Sequence, residues 1–438
     1  MMFKKAFLSV LLTVTFIFIG FSQNESREDS VSLRYQKLHS LLGPNTFFDN
    51  HLTGFMLYDL DSQWVHYEKN SHMNFIPAST TKLLTFYASL MVMNNQTNTF
   101  RYTTNGNEIT IWGSGDPSWK YNILPQPKVE EFLKPYSKVF YSDQNWNDTP
   151  FGYGWQWDDY YYAYSAERSP LPIYGNIVTF RNVNRIPQAS ISSFKTESKN
   201  IGGNLTTVRR DFHSNTFYYN PRTYTNPGPI LPFVTSPELT VTLLRDILQK
   251  PVELVNTKLP SNSQTFHGGS MRPLLKEMLQ ESDNFIAEQI LLMVSDQMLG
   301  ELNSEKAIEN VLKKYLDDLP DKPQWVDGSG LSRHNLVTPR SMIRLIEKID
   351  QTIPRIELIN LLPQGGINGT LKNNYKGSKP YVFAKTGTIS NNHALVGIIK
   401  SKSDRYYAFA FLNNNYLNKA SEVRREMEKV LVFIRDNY

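Results

Sequence analysis

Strand-like apolar segments lie at both ends of this 438-residue chain, and an unlike stretch separates them. Near the start, residues 54–60 (Gly-Phe-Met-Leu-Tyr-Asp-Leu) and 64–69 read as two strands joined at Asp61-Ser62, a hairpin signal. Near the end, residues 381–384, 394–399 and 406–412 read as strands. Residues 419–437 then give an amphipathic helix, with Val423, Met427, Val430, Leu431 and Ile434 near one face. A two-stranded hairpin is marginal alone and needs further strands. One core domain built from both chain ends is therefore expected. From about 99 to 236 Gly, Pro, Asn, Tyr and Trp are frequent and the apolar runs are short, which predicts an inserted, mostly β region. The division expected is a core of residues 24–98 and 237–438 with the insertion at 99–236.

Residues 1–23 carry Lys4 and Lys5, then an apolar run from Ala6 to Phe21 that ends in Ser22 and Gln23. A basic start, a short apolar stretch and a small-polar exit predict an export signal. The alternative, an uncleaved anchor, wants about 20 apolar residues. No later apolar stretch is long enough to span a bilayer, so the expectation is a periplasmic or cell-envelope protein with no stable membrane anchor. The chain has no cysteine, which removes disulfide scaffolds, thiolate metal sites and cysteine nucleophiles. Net charge is +5, and the basic residues are spread rather than gathered in a stripe, against a nucleic-acid partner. The eight His residues are scattered without metal-ligand spacing, so neither a metal nor another cofactor is expected.

What remains is a serine–lysine system. Ser79-Thr80-Thr81-Lys82 opens a long apolar run, 83–93, that reads as a buried helix. Positions i and i+3 share a helix face, so Lys82 can reach the Ser79 hydroxyl. Alone this motif is weak, because a chain of this length contains about two by chance; a decoy occurs at Ser192-Ser193-Phe194-Lys195. Ser282-Asp283-Asn284 is a Ser-x-Asn inside a helical stretch, and Lys385-Thr386-Gly387-Thr388 ends the strand that starts at 381. A specified Lys-Thr-Gly is expected only about 0.1 times in such a chain. The three in this order are the elements of serine penicillin-binding proteins and serine β-lactamases.

With flanking segments included, the chain resembles the class C low-molecular-mass penicillin-binding proteins, the D-alanyl-D-alanine carboxypeptidase/endopeptidase family. The resemblance runs through Gly113-Ser-Gly-Asp-Pro117, Gly154-Trp-Gln-Trp-Asp-Asp159, Glu281-Ser-Asp-Asn284 with Ala287-Glu288, Asp327-Gly-Ser-Gly-Leu-Ser-Arg333, and Ala384-Lys-Thr-Gly-Thr388. It is weakest between about Arg185 and Pro232. The resemblance implies an α/β (α+β) fold: a β-lactamase/transpeptidase-like core, an antiparallel sheet flanked by helices, with inserted mainly β domains. It implies a serine D,D-peptidase acting on peptidoglycan stem peptides through an acyl-enzyme, with β-lactam antibiotics as inhibitors. Ser79 would be the nucleophile, Lys82 its base, and Ser282 a bridge between Lys82 and Lys385. Asn284, Thr386, Gly387 and Thr388 would bind substrate. A neutral Lys82 needs a lowered pKa, to which burial and a second cation, Lys385, would both contribute.

Two rival readings share these residues, a serine β-lactamase and a non-catalytic β-lactam- or peptidoglycan-binding protein. The compact β-lactamases place Ser-x-Asn much closer to the nucleophile, and the class C enzymes use Tyr there. The aromatic cluster Trp155, Trp157, Tyr160, Tyr161, Tyr162 and Tyr164 reads either as a platform for sugars or as the packing of a small domain. Asp327 and Arg333 are expected to shape a loop near the site.

Overall fold

The computed structural model describes residues 32–199 and 205–438. The expected export signal at 1–23 lies outside the described residues. Five antiparallel strands form the central sheet, in the spatial order Val382–Ile389, Asn392–Lys400, Tyr406–Asn414, Leu52–Asp59, Trp64–Lys69. The first strand of the chain pairs with the last, Leu52 opposite Asn414 and Asp59 opposite Tyr407. The hairpin expected at Asp61-Ser62 is present. Its turn is closed by Asp59, whose Oδ1 accepts the N–H groups of Asp61 (2.9 Å) and Ser62 (3.0 Å).

Alternation along these strands sends side chains to two separate cores, as period-2 geometry requires. Ala408, Ala410 and Leu412 face one helical layer, while Tyr407, Phe409 and Phe411 face the other. The first layer holds the helices Lys82–Val92, Arg272–Gln280, Asn284–Leu299, Ser304–Tyr315, Pro339–Thr352 and Arg355–Leu361. The second is made by a helix over 32–42 and the helix Ala420–Asn437, whose Val423, Met427, Val430, Leu431 and Ile434 are all buried. Among the described residues no helix is long and apolar enough to cross a membrane.

The insertion has its own core. A second five-stranded sheet runs in the order Val252–Leu254, Lys138–Ser142, Glu108–Gly113, Gln96–Asn105, Gln264–Ser270. Two three-stranded sheets accompany it. The sequence reading ends the insertion at 236, yet the next helix, Pro237–Leu248, packs Val241, Leu243 and Leu244 against Phe100, Ile109 and Val139 of this second core. The strand Gln264–Ser270 then pairs with Gln96–Asn105. The composition change that marks the insertion fades before its fold does, because a helix with one apolar face reads the same in either unit.

Phe411 is fully buried and packs on Phe55 (ring centroids 4.9 Å apart) and Phe48 (5.1 Å). Phe411→Ala should cost about 3–5 kcal/mol of stability in a denaturant titration. Leu417→Ala, at a position 94% exposed, should stay within about 0.5 kcal/mol of the parent.

Candidate active site

The three motifs meet at one end of the central sheet. Ser79 sits in a 3-10 turn, Ala78–Thr81, directly before the helix Lys82–Val92. The Thr80 and Thr81 hydroxyls donate back to the carbonyls of Pro77 (2.9 Å) and Ala78 (2.8 Å), which fixes the turn. In a 3-10 turn positions i and i+3 eclipse. Lys82 Nζ accordingly stands 3.0 Å from Ser79 Oγ. The residue before Ser79, Ala78, has φ +47, a left-handed conformation that its small side chain tolerates at a cost. Gly330 fits against it: a Cβ there would lie 1.9 Å from the Ala78 carbonyl oxygen.

Lys82 is 0% exposed, and its ammonium has three acceptors for its three protons. They are Ser79 Oγ, Asn284 Oδ1 (2.7 Å) and the Ser329 carbonyl (2.7 Å). Each comes from a separately braced element. Asn284 opens the helix Asn284–Leu299, capped by Asp283, whose Oδ1 accepts the Ile286 N–H at 2.8 Å. The Asn284 side-chain amide also donates to the Tyr164 carbonyl (3.0 Å). The Ser329 N–H donates to the buried Glu288 carboxylate (2.7 Å). Asp327 accepts from the N–H groups of Gly330 (2.8 Å) and Ser332 (2.7 Å) and from the Trp155 indole (3.1 Å).

Lys385, also 0% exposed, donates to Ser282 Oγ (2.8 Å) and to the Thr386 carbonyl (3.0 Å). Two acceptors suit a neutral amine, which has two protons. The strand carrying it runs hard against the Ala78–Thr81 turn. A Cβ on Gly387 would lie 2.3 Å from the Pro77 carbonyl oxygen and 3.0 Å from the Ser79 nitrogen. Beyond it, Thr386 Oγ1 donates to Thr370 Oγ1 (2.7 Å), and Thr388 Oγ1 bonds His393 Nδ1 (2.8 Å).

Two expectations change. Ser282 meets Lys385 but does not bridge to Lys82, whose protons already have other partners; Ser282 sits between two helices with φ +65, and nothing in the sequence marks that turn. The setting expected for Lys82 also changes, because three carboxylates act on it beside its burial. Burial pushes Lys82 down to about 8 while the carboxylates of Asp327, Asp283 and Glu288 pull it back up. Burial pushes Lys385 well below the usual lysine range, and the Lys82 charge pushes it further.

Sequence reasoning missed Glu288 as part of the cage, although it stands in a quoted motif. The Ser329 carbonyl had no signal at all, being backbone. The aromatic cluster splits in two. Trp155 braces Asp327, and Tyr160 and Tyr161 pack on Phe212, while Trp157, Tyr162 and Tyr164 are exposed. Arg333 donates to the Ser390 carbonyl at 3.3 Å, at the rim.

Ser79, Ser282, Thr386 and Thr388 line a cavity of about 310 Å3. A larger one, about 800 Å3, lies behind Arg168 and Trp325. Its serine, Ser304, accepts from the Arg168 guanidinium (3.0 Å), and none of the three motifs reaches its lining, whereas all three meet at the smaller cavity.

A model of the D-Ala-D-Ala carboxypeptidase 3 (S13) family matches residues 36–198 and 254–438. The chain is 29% identical over 177 residues to D-alanyl-D-alanine carboxypeptidase DacB of Haemophilus influenzae, covering 38% of this chain and 36% of that one. It is 32% identical over 151 residues to carboxypeptidase DacB of Mycolicibacterium smegmatis, covering 32% and 33%. These alignments span about a third of the length of the two curated relatives. The solved structure of penicillin binding protein 4 (dacB) from Haemophilus influenzae superimposes with a TM-score of 0.70 at 19% identity, over 91% of this chain and 97% of that one.

Burial pushes the Glu288 carboxyl up to about 7, and the Asp327 charge adds to the shift. From its ordinary value of 4.5 up to about 7 the folded chain keeps a proton that the unfolded chain has released. Stability must therefore fall as pH rises through that window. Glu288→Gln removes the dependence, so the variant's melting temperature relative to the parent should climb from pH 4.5 to 7. A difference that stays flat across the window would contradict the assignment.

Proposed function

The chain belongs to the D-Ala-D-Ala carboxypeptidase 3 (S13) family, and from that premise we propose that it is a serine D,D-peptidase of peptidoglycan. In this reading it cleaves the bond after a D-alanine in stem peptides through an acyl-enzyme, and β-lactams trap it covalently. The observation that carries the reading is the Ser79–Lys82 contact inside a cage of acceptors. The cage serves both charge states of the lysine. As an ammonium, Lys82 donates to all three oxygens. As an amine, it keeps two protons for Asn284 and Ser329 and turns its lone pair to the Ser79 hydroxyl.

Ser79 Oγ then attacks the carbonyl carbon while its proton passes to Lys82. The oxyanion lies between the N–H groups of Ser79 and Thr388; the close approach of Gly387 to the Ser79 nitrogen supports this pairing. One such donor is worth about 10²–10³ in rate. The C–N bond breaks, and the proton that Lys82 took from Ser79 passes on to the departing amine, so Lys82 is a neutral amine again; Ser282, held by Lys385, accepts from an N–H of that amine. Asn284 donates to the substrate amide, and Thr386 and Thr388 face the terminal carboxylate. Water then cleaves the ester, with Lys82 taking its proton. No metal or organic cofactor enters this scheme.

In the same reading, residues 1–23 direct export and the protein works in the periplasm or cell envelope. The second unit runs from 96 to 270, by its pairing and packing, and the core takes the remainder. The intact Ser79–Lys82 pair supports catalysis over passive binding.

A fluorescent penicillin should label the purified protein, and Ser79→Ala should abolish the label; equal labelling would refute the nucleophile. D-alanine should be released from a pentapeptide substrate. Because the reactive form of Lys82 is neutral, the acylation rate should rise with pH and level off above about 8. Lys82→Arg cannot shed its proton, so acylation should drop by at least about 10²–10⁴ at every pH.

A further inference from the structure

The cavity that contains Ser79 has a second end, which the scheme above does not use. Its wall there is His393 and Arg424. Arg424 comes from the helix Ala420–Asn437, on the face of the sheet opposite the nucleophile helix. Its neighbour Arg425 pairs with Glu426 (3.9 Å), whereas Arg424 makes no ion pair with any described residue. Its Nε is buried without a hydrogen-bond partner. Two further polar atoms nearby share that condition, His393 Nε2 and the Tyr375 hydroxyl, both on buried residues of the same cavity wall.

A guanidinium that makes no ion pair and lines a cleft, beside unfilled polar atoms, is open to an anion. His393 cannot serve as that anion or add a second cation. Burial, then the Arg424 charge, pushes it down to about 3, so its ring is neutral at any working pH. Thr388 Oγ1, on the path between Ser79 and Arg424, is held at 2.8 Å by the same ring.

Resting on the D,D-peptidase reading, we propose that Arg424 is a specificity residue that pairs with the free carboxylate of the residue leaving the enzyme. A substrate whose scissile carbonyl lies at Ser79 carries that carboxylate one residue further on. The cavity, about 310 Å3, reaches from Ser79 past Thr386 and Thr388 to Arg424. The threonines then orient the carboxylate and Arg424 supplies the charge, because the nearer basic group, Lys385, is committed to Ser282 and the Thr386 carbonyl. The chain should therefore favour acid-terminated peptides over the same peptides ending in an amide.

The test compares kcat/KM for an acyl-D-Ala-D-Ala peptide and its C-terminal amide, using the parent, Arg424→Gln and Arg424→Lys. Loss of a charge-assisted pair predicts a drop of about 10–100-fold for the acid with Arg424→Gln, chiefly in KM. The amide should change less than about twofold, and Arg424→Lys should restore part of the loss. Acylation by penicillin and by its methyl ester gives the same comparison without turnover, and only the free acid should suffer. An equal loss on acid and amide, or on acid and ester, would overturn the inference, as would no loss. Those results would leave the peptidase reading standing. A parent protein inert to peptide and penicillin alike would overturn both.

Discussion

A lysine ammonium taken wholly out of water must be met by oxygen on every proton, or the fold cannot hold it. Lys82 is that group, and much of the molecule is arranged around its three acceptors. The turn Ala78–Thr81 brings one, the capped start of a helix brings the second, and the 327–335 loop brings the third. That loop is held in turn by Asp327 and Glu288, two buried carboxylates whose own desolvation is offset by backbone N–H groups, the Trp155 indole and the Arg168 guanidinium. Removing any one support leaves a buried charge short of a partner, which costs more than the bond itself is worth.

The same cage explains why the second lysine differs. Lys385 has two acceptors and no nearby carboxylate to retain its proton. Two lysines of identical chemistry thus have different surroundings: carboxylates oppose the effect of burial on Lys82, while burial and the Lys82 charge both push Lys385 down. Sequence reasoning placed both at the site and weighed burial and the two charges, but not the carboxylates beside Lys82.

Much of the fold could be read from the chain. Alternation at 394–399 and 406–412 marked strands between two cores, and the 419–437 helix showed its face. The motif residues converge because motif spacing reflects geometry that the fold must keep. What stayed hidden shares one property: it depends on backbone rather than side-chain type. The left-handed φ at Ala78 and at Ser282, the Ser329 carbonyl, and the packing of Gly387 on the nucleophile turn leave no residue pattern to read. Arg424 is hidden differently. A lone arginine on an amphipathic helix looks like a solvated charge until the fold shows it lining the Ser79 cavity.

The pairing of the first strand with the last has a consequence for how the protein comes into being. Leu52 meets Asn414 only when nearly the whole chain exists, and a contact so distant in sequence forms slowly. The nucleophile is synthesised early, but Lys385 and Gly387, which close over it, arrive near the end. A nascent or truncated chain therefore carries Ser79 without the site around it. Any chemistry at Ser79 becomes a property of the finished molecule, and measured turnover would certify that both ends have found each other.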